Sequence, residues 1–238
     1  MHRYLLFILS VLLPGCNLPP RVPIETVKFP ATNQRAEHLI ILLSGRGAAK
    51  SYFSDHQWIK IARNYGSKVD YIAPYAHLGY YKTQSLLPRL NEDVIKPAKK
   101  LGYKTISIVG ISLGSFGLLL YSERFPTDLD RLYSPYLGKT VVQLEIHQAG
   151  SLDNWQIKPE NNGDSSYILW QQIKKISQDP VLKKKIFLGY GKQDKHKGQT
   201  LLASAIPAKQ VITIPGGHRD KIFVRLWEKM FERRFFDQ

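Results

Sequence analysis

The chain has 238 residues, with 43% hydrophobic and 22% charged content, which suits one globular domain with a sizeable core and excludes a disordered or collagen-like chain. Its formal net charge is +15, a balance that raises polyanions as partners, yet no nucleic-acid-binding motif accompanies it and no nucleic acid is expected. Cys16 is the single cysteine, so no intramolecular disulfide can form.

The first residues are not part of the fold. His2 and Arg3 precede an apolar stretch over 4–13 that is too short to span a bilayer comfortably, and 1–15 read as a signal peptide. Leu13-Pro14-Gly15-Cys16 resembles the lipobox of bacterial lipoproteins. That resemblance implies cleavage before Cys16, lipidation of its sulfur and a membrane anchor in the cell envelope. The alternative is an ordinary secretory signal, or a membrane anchor, with an incidental cysteine. Asn17 resembles the sorting signals that favour the outer membrane, facing the periplasm. Cleavage removes Arg3 and no acid, leaving +14. At that address anionic lipid head groups or an acidic envelope polymer suit the charge, and solvated lysine faces such as 96/99/100 and 183–185 account for much of it. Residues 16–36 hold Pro19, Pro20, Pro23 and Pro30 and read as the acylated N-terminus and an extended tether, leaving 37–238 as the globular domain.

The domain alternates strand and helix patterns. Residues 39–43 form a continuous apolar run, as in a strand covered on both faces, followed by Ser44-Gly45-Arg46-Gly47. A helix is expected over 55–65 and a strand over 68–74. The aromatic loop 75–87, with Tyr75, His77, Tyr80 and Tyr81, is expected at the mouth of a pocket, because open α/β sheets bind ligands at the carboxyl ends of their strands. A helix over 91–101 is limited by Pro97. Residues 105–109 read as a buried strand, and after the sharp turn 116–125 continues a helix ending at Pro126. Residues 140–147 read as the next strand. The stretch 148–184 is a short insertion with a helix near 167–176 and is a candidate pocket wall. Strands at 185–191 and 210–215 and an amphipathic helix at 222–236 close the chain.

The chemistry centres on Gly110-Ile111-Ser112-Leu113-Gly114, between a strand and a helix. A serine on so sharp a turn needs glycine two residues away on either side, where Cβ atoms would collide. The turn exposes the Ser112 hydroxyl at a helix N-terminus, where backbone N–H groups point outward. Asp194 follows a later strand in Gly191-Lys-Gln-Asp194, and His218 follows the last in Gly216-Gly-His218.

Ser112, then Asp194, then His218 on successive strand ends resembles the α/β-hydrolase superfamily from about residue 39 to the C-terminus. The resemblance implies a mostly parallel central sheet with helices on both faces. It also implies a Ser112–His218–Asp194 catalytic triad and an oxyanion hole made by the backbone N–H groups of Arg46 and Leu113. Asp153, after the strand expected at 140–147, is the competing acid, and His196 is the rival base. No metal-ligand spacing or cofactor motif is present, and neither metal nor cofactor is expected. The implied activity is that of a carboxylesterase or a lipase-like acylhydrolase acting on an ester-containing small molecule or lipid. A serine peptidase on the same fold, and a non-catalytic envelope lipoprotein binding an anionic lipid or polymer, are the alternatives.

Overall fold

The computed structural model describes residues 18–31, 36–125 and 129–235. The signal-peptide reading of 1–15 and the lipidation site Cys16 lie outside the described residues. No helix among these residues is long and apolar enough to cross a membrane.

Among the described residues, seven strands form one sheet: β1 (Thr26–Phe29), β2 (His38–Leu43), β3 (Asp70–Pro74), β4 (Thr105–Ile111), β5 (Leu129–Tyr133), β6 (Ile186–Gly191) and β7 (Val211–Ile214). Their order is β1-β3-β2-β4-β5-β6-β7. Only β1 runs antiparallel to its neighbour. The apolar run in β2 explains the layering. Leu39, Ile41 and Leu43 belong to one buried cluster and Ile40 and Leu42 to another. Alternate side chains therefore leave opposite faces of the sheet, and both faces are covered by helices.

The helices are α1 (Tyr52–Asp55), α2 (Trp58–Asn64), α3 (Leu78–Lys82), α4 (Leu86–Leu90), α5 (Lys96–Lys100), α6 (Leu113–Arg124), α7 (Thr140–Gln148), α8 (Ser165–Gln178), α9 (Leu182–Lys185), α10 (Gly198–Ser204) and α11 (Asp220–Glu232). One face buries Trp58 of α2 against Trp227 of α11, with ring centroids 4.8 Å apart. The other face buries α4, α6 and α8, among them Leu90, Leu118 and Trp170.

Four expectations are corrected. The helix expected over 55–65 is broken, because Gln57 takes φ 57° between α1 and α2. Residues 18–31 of the expected 16–36 tether are docked on the domain. Ile24 is 4% exposed, and the β-branched and aromatic residues of β1 pair with β3 as an edge strand, which tolerates flanking prolines. The folded unit thus begins well before residue 37. The strand expected at 140–147 is helix α7. Val142 and Ile146, one helical turn apart, are buried, while Val141 and Leu144 are exposed. The missing strand is β5, whose Asp130 and Arg131 disguise it; Arg131 is fully buried, with its guanidinium over the Phe187 ring and donating to the Phe235 carbonyl.

Last, the loop 75–87 folds into α3 and the start of α4. Tyr80 is buried, its hydroxyl donating to the Arg21 carbonyl and accepting from the Arg21 N–H, and Tyr81 donates to the Leu113 carbonyl at 3.1 Å. These aromatics brace the framework instead of forming a pocket mouth. Pro97 does limit its helix: it has no N–H to close the preceding turn, and Asn91–Ile95 winds as a wide π turn before α5.

Candidate active site

Ser112 stands between β4 and α6 with φ 52° and ψ −111°, a conformation that costs a non-glycine residue about 1–3 kcal/mol. Its surroundings hold it there. The Ser112 N–H donates to the Tyr133 carbonyl at 3.0 Å, and the Ser112 carbonyl accepts from the N–H of Tyr136 at 3.1 Å. A Cβ on Gly110 would lie 2.6 Å from the backbone of Ser115, and one on Gly114 would overlap the Leu43 carbonyl. Glycine at both positions lets β2, β4 and α6 meet around the turn.

The Ser112 hydroxyl lies 2.9 Å from Nε2 of His218, and Nδ1 of His218 lies 2.9 Å from Oδ2 of Asp194. With the Nδ1 proton donated to Asp194, Nε2 is free to accept from the hydroxyl. All three residues that the sequence singles out converge, although they arise from three separate strand ends. Asp194 is 2% exposed. Its burial pushes its pKa up, but the bond from His218, the His196 N–H at 2.9 Å and the nearby His218 charge outweigh burial and hold the carboxyl below the ordinary value.

The Ser134 hydroxyl adds to that lowering without closing a well-aligned hydrogen bond. Ser134 takes φ 43° directly after β5 and was invisible in the sequence because β5 was.

Asp153 is elsewhere. Its carboxylate accepts from Gln178 of α8, and its carbonyl from Lys174. It followed a strand that does not exist. His196 does reach the site, as a neighbour of His218: the two rings meet edge-on with centroids 4.7 Å apart. Asp194, His196 and His218 bring potential metal-ligating atoms together, but the hydrogen bonds above already occupy Asp194 and His218.

Arg46 and Leu113 both line the cleft beside Ser112. The loop after β2 passes close, so that a Cβ on Gly45 would be 3.5 Å from that of Ser112. Neither the Arg46 nor the Leu113 N–H has a backbone acceptor among the described residues, and Leu113 opens α6, where the first N–H groups lack intrahelical partners. The cleft measures about 850 Å³ and is bounded further by Tyr52, His56 and Phe223. Leu78 alone represents the aromatic loop, and the insertion 148–184 contributes nothing to the lining.

No family model and no curated protein matches the chain. Solved structures do. Est1E from Butyrivibrio proteoclasticus is 17% identical with a TM-score of 0.56, over 90% of this chain and 94% of that one. S-formylglutathione hydrolase from Staphylococcus aureus is 12% identical with a TM-score of 0.54, over 91% of this chain and 98% of that one. A monoacylglycerol lipase from Paleococcus ferrophilus is 13% identical with a TM-score of 0.52, over 88% of this chain and 99% of that one. With the parallel strand order and the sharp turn at Ser112 already in place, this shared architecture identifies the chain as having the α/β-hydrolase fold.

Proposed function

We propose that the chain is a serine hydrolase that cleaves a carboxylic ester through an acyl-enzyme intermediate. The observation that carries this reading is the unbroken hydrogen-bonded run from Ser112 through His218 to buried Asp194, opening onto a cleft. Fold alone would not support it, since this fold hosts many chemistries. The similar solved structures named as a hydrolase and a lipase agree with it.

Each residue has a stated task. His218 Nε2 takes the Ser112 proton as Oγ attacks the ester carbonyl. Asp194 holds the imidazole tautomer and stabilises the imidazolium that forms. The N–H groups of Arg46 and Leu113 receive the developing oxyanion, and losing one such donor costs about 3 kcal/mol. The bond to the alcohol breaks as His218 returns the proton to the leaving oxygen. Water, deprotonated by the same imidazole, then attacks the acyl-Ser112 carbonyl, and the carbonyl–Oγ bond breaks as His218 returns that proton to Ser112, releasing the acid. The sum is ester plus water giving acid plus alcohol.

The lipobox-like sequence supports a further part of the proposal, that Cys16 is acylated and anchors the enzyme in a bacterial envelope, in the outer membrane facing the periplasm.

Fluorophosphonate labelling of the full chain, read by intact mass beside Ser112→Ala, tests the enzyme reading. One adduct on wild type and none on the variant is expected. No adduct on folded wild-type protein would overturn it and favour a binding lipoprotein. Retention of the Cys16→Ser variant in the membrane fraction with unchanged processing would overturn the anchor.

A further inference from the structure

The cleft carries charge that ester hydrolysis by itself does not need. Arg46, Lys195 and Arg219 all line it and are all exposed. None of their side chains has an ion pair or a hydrogen bond among the described residues. The acids of the cleft are committed elsewhere. Asp220 accepts from the Tyr52 hydroxyl at 2.8 Å and faces His56 at 3.7 Å, and Asp55 accepts from the Ser51 hydroxyl at 2.7 Å. Arg219 neighbours Asp220 in the chain, which leaves Arg46 and Lys195 as the cleft cations not adjacent in sequence to an acid that lines the cleft.

Two of the cations stand close to the reacting centre. Arg46 lies on the turn after β2 that passes Ser112, and Lys195 immediately follows Asp194. Both bear on His196: burial, the His218 charge and then the charges of Lys195 and Arg46 lower its pKa, against the pull of Asp194. His196 in turn touches the His218 ring. Long side chains held unpaired at the rim of a concave, partly desolvated site raise the local concentration of anions.

We propose that the cleft takes esters bearing a negatively charged group, and that Arg46 and Lys195 receive that group beside Ser112. The inference rests on the hydrolase reading. It names a substrate class: a carboxylate or phosphate within reach of the scissile ester, carried by a soluble ester or by an anionic lipid.

The test compares two chromogenic esters of equal length, p-nitrophenyl hexanoate and the p-nitrophenyl half-ester of adipic acid, on the full chain. The ratio of kcat/KM, anionic over neutral, is the readout. It is expected to favour the half-ester by about tenfold at low salt and to shrink as added salt shortens the Debye length. Lys195→Gln should lower the ratio about threefold and Arg46→Gln/Lys195→Gln about tenfold, the scale of exposed charge pairs. Arg46→Gln keeps the backbone N–H. Lys192→Gln removes the same charge from outside the cleft and should leave the ratio unchanged.

A wild-type ratio at or below one overturns the proposal, as does an equal fall in Lys192→Gln. Calorimetric titration of Ser112→Ala with the adipate half-ester reads the anion site without turnover; binding abolished by the added Arg46→Gln/Lys195→Gln pair supports it, and no binding overturns it. A missing fluorophosphonate adduct marks failure of the hydrolase reading instead. Vesicles of phosphatidylglycerol against phosphatidylcholine separate the sources. Fatty acid release that favours phosphatidylglycerol and needs the two cations assigns the lipid, and a preference confined to the half-ester assigns the soluble anion.

Discussion

Gly191 and Gly216 meet backbone to backbone, so closely that a methyl group built on Gly191 would overlap the Gly216 carbonyl oxygen. The contact joins the turn carrying Asp194 to the loop carrying His218. The Gln193 N–H donates to that same carbonyl at 2.9 Å, and the Gln193 side chain accepts from the Gly216 N–H at 2.5 Å. Main-chain contacts thus fix the two loops against each other alongside the Asp194–His218 side-chain bond.

Gly191→Ala should therefore act on the site through position. Inserting a methyl into so tight a contact costs about 1–3 kcal/mol and pushes the two loops apart. A displacement near 1 Å is enough to lower kcat about 100-fold. Ester turnover, with circular dichroism to show a retained fold, checks this; near wild-type kcat would show that the loops absorb the methyl elsewhere.

The two candidate acids separate cleanly. Asp194→Ala should lower kcat by about 10⁴, because His218 loses the group that fixes its tautomer. Asp153→Ala should stay within about twofold, since its partners lie on α8. The reverse pattern on any hydrolysed ester would reassign the acid to Asp153.

His196 makes a signed prediction about pH and stability. Its folded-state pKa is lowered, first by burial and then by the His218 charge. A histidine depressed in the native state takes up its proton first in the unfolded chain. Stability should hold above about pH 6.5 and fall as pH drops through that unfolded value. Denaturant melts at successive pH values should show a steeper loss for wild type than for His196→Gln. Equal slopes would mean that His196 is solvated.

Trp227 is the anchor of one core face. It is fully buried, packs on Trp58 and donates from Nε1 to the Trp58 carbonyl at 2.9 Å. Trp227→Ala should cost about 3–5 kcal/mol, because α2 and α11 cannot close the resulting cavity. Urea melts measure it, and a loss below about 1 kcal/mol would show that they can.

What the sequence disclosed follows from where the physics is local. The turn at Ser112 demands glycine at 110 and 114, and loops after strands place Asp194 and His218, so these could be read without neighbours. The β2 run announced its two-sided burial. Strand β5 could not be read, since Arg131 is accepted inside only because the Phe187 ring and the Phe235 carbonyl receive it. Missing β5 also hid Ser134 and sent the next strand into α7, where Val141, Val142 and Ile146 mimic a β-rich run. Nor could proline content reveal that the first described segment is docked, because that depends on what it packs against.

That docked segment gives the last prediction. Ile24 is buried, and its N–H donates to Asp93 at 2.8 Å, while Val22 is 72% exposed. Ile24→Ala should cost about 2–4 kcal/mol and Val22→Ala less than about 0.5 kcal/mol. A free tether would make both substitutions silent, so equal melts would restore that reading. The contrast bears on function as well. The Leu18 carbonyl lies against Gly79, beside Leu78 of the cleft, and only Asn17 separates Leu18 from Cys16. Under the proposed acylation, the domain would be held against the bilayer with its cleft on the anchored side. Inserting a flexible spacer between Asn17 and Leu18 should then slow release of fatty acid from vesicles while leaving turnover of a soluble ester unchanged. A parallel loss on both substrates would show that the spacer disturbs the fold and not the approach to lipid.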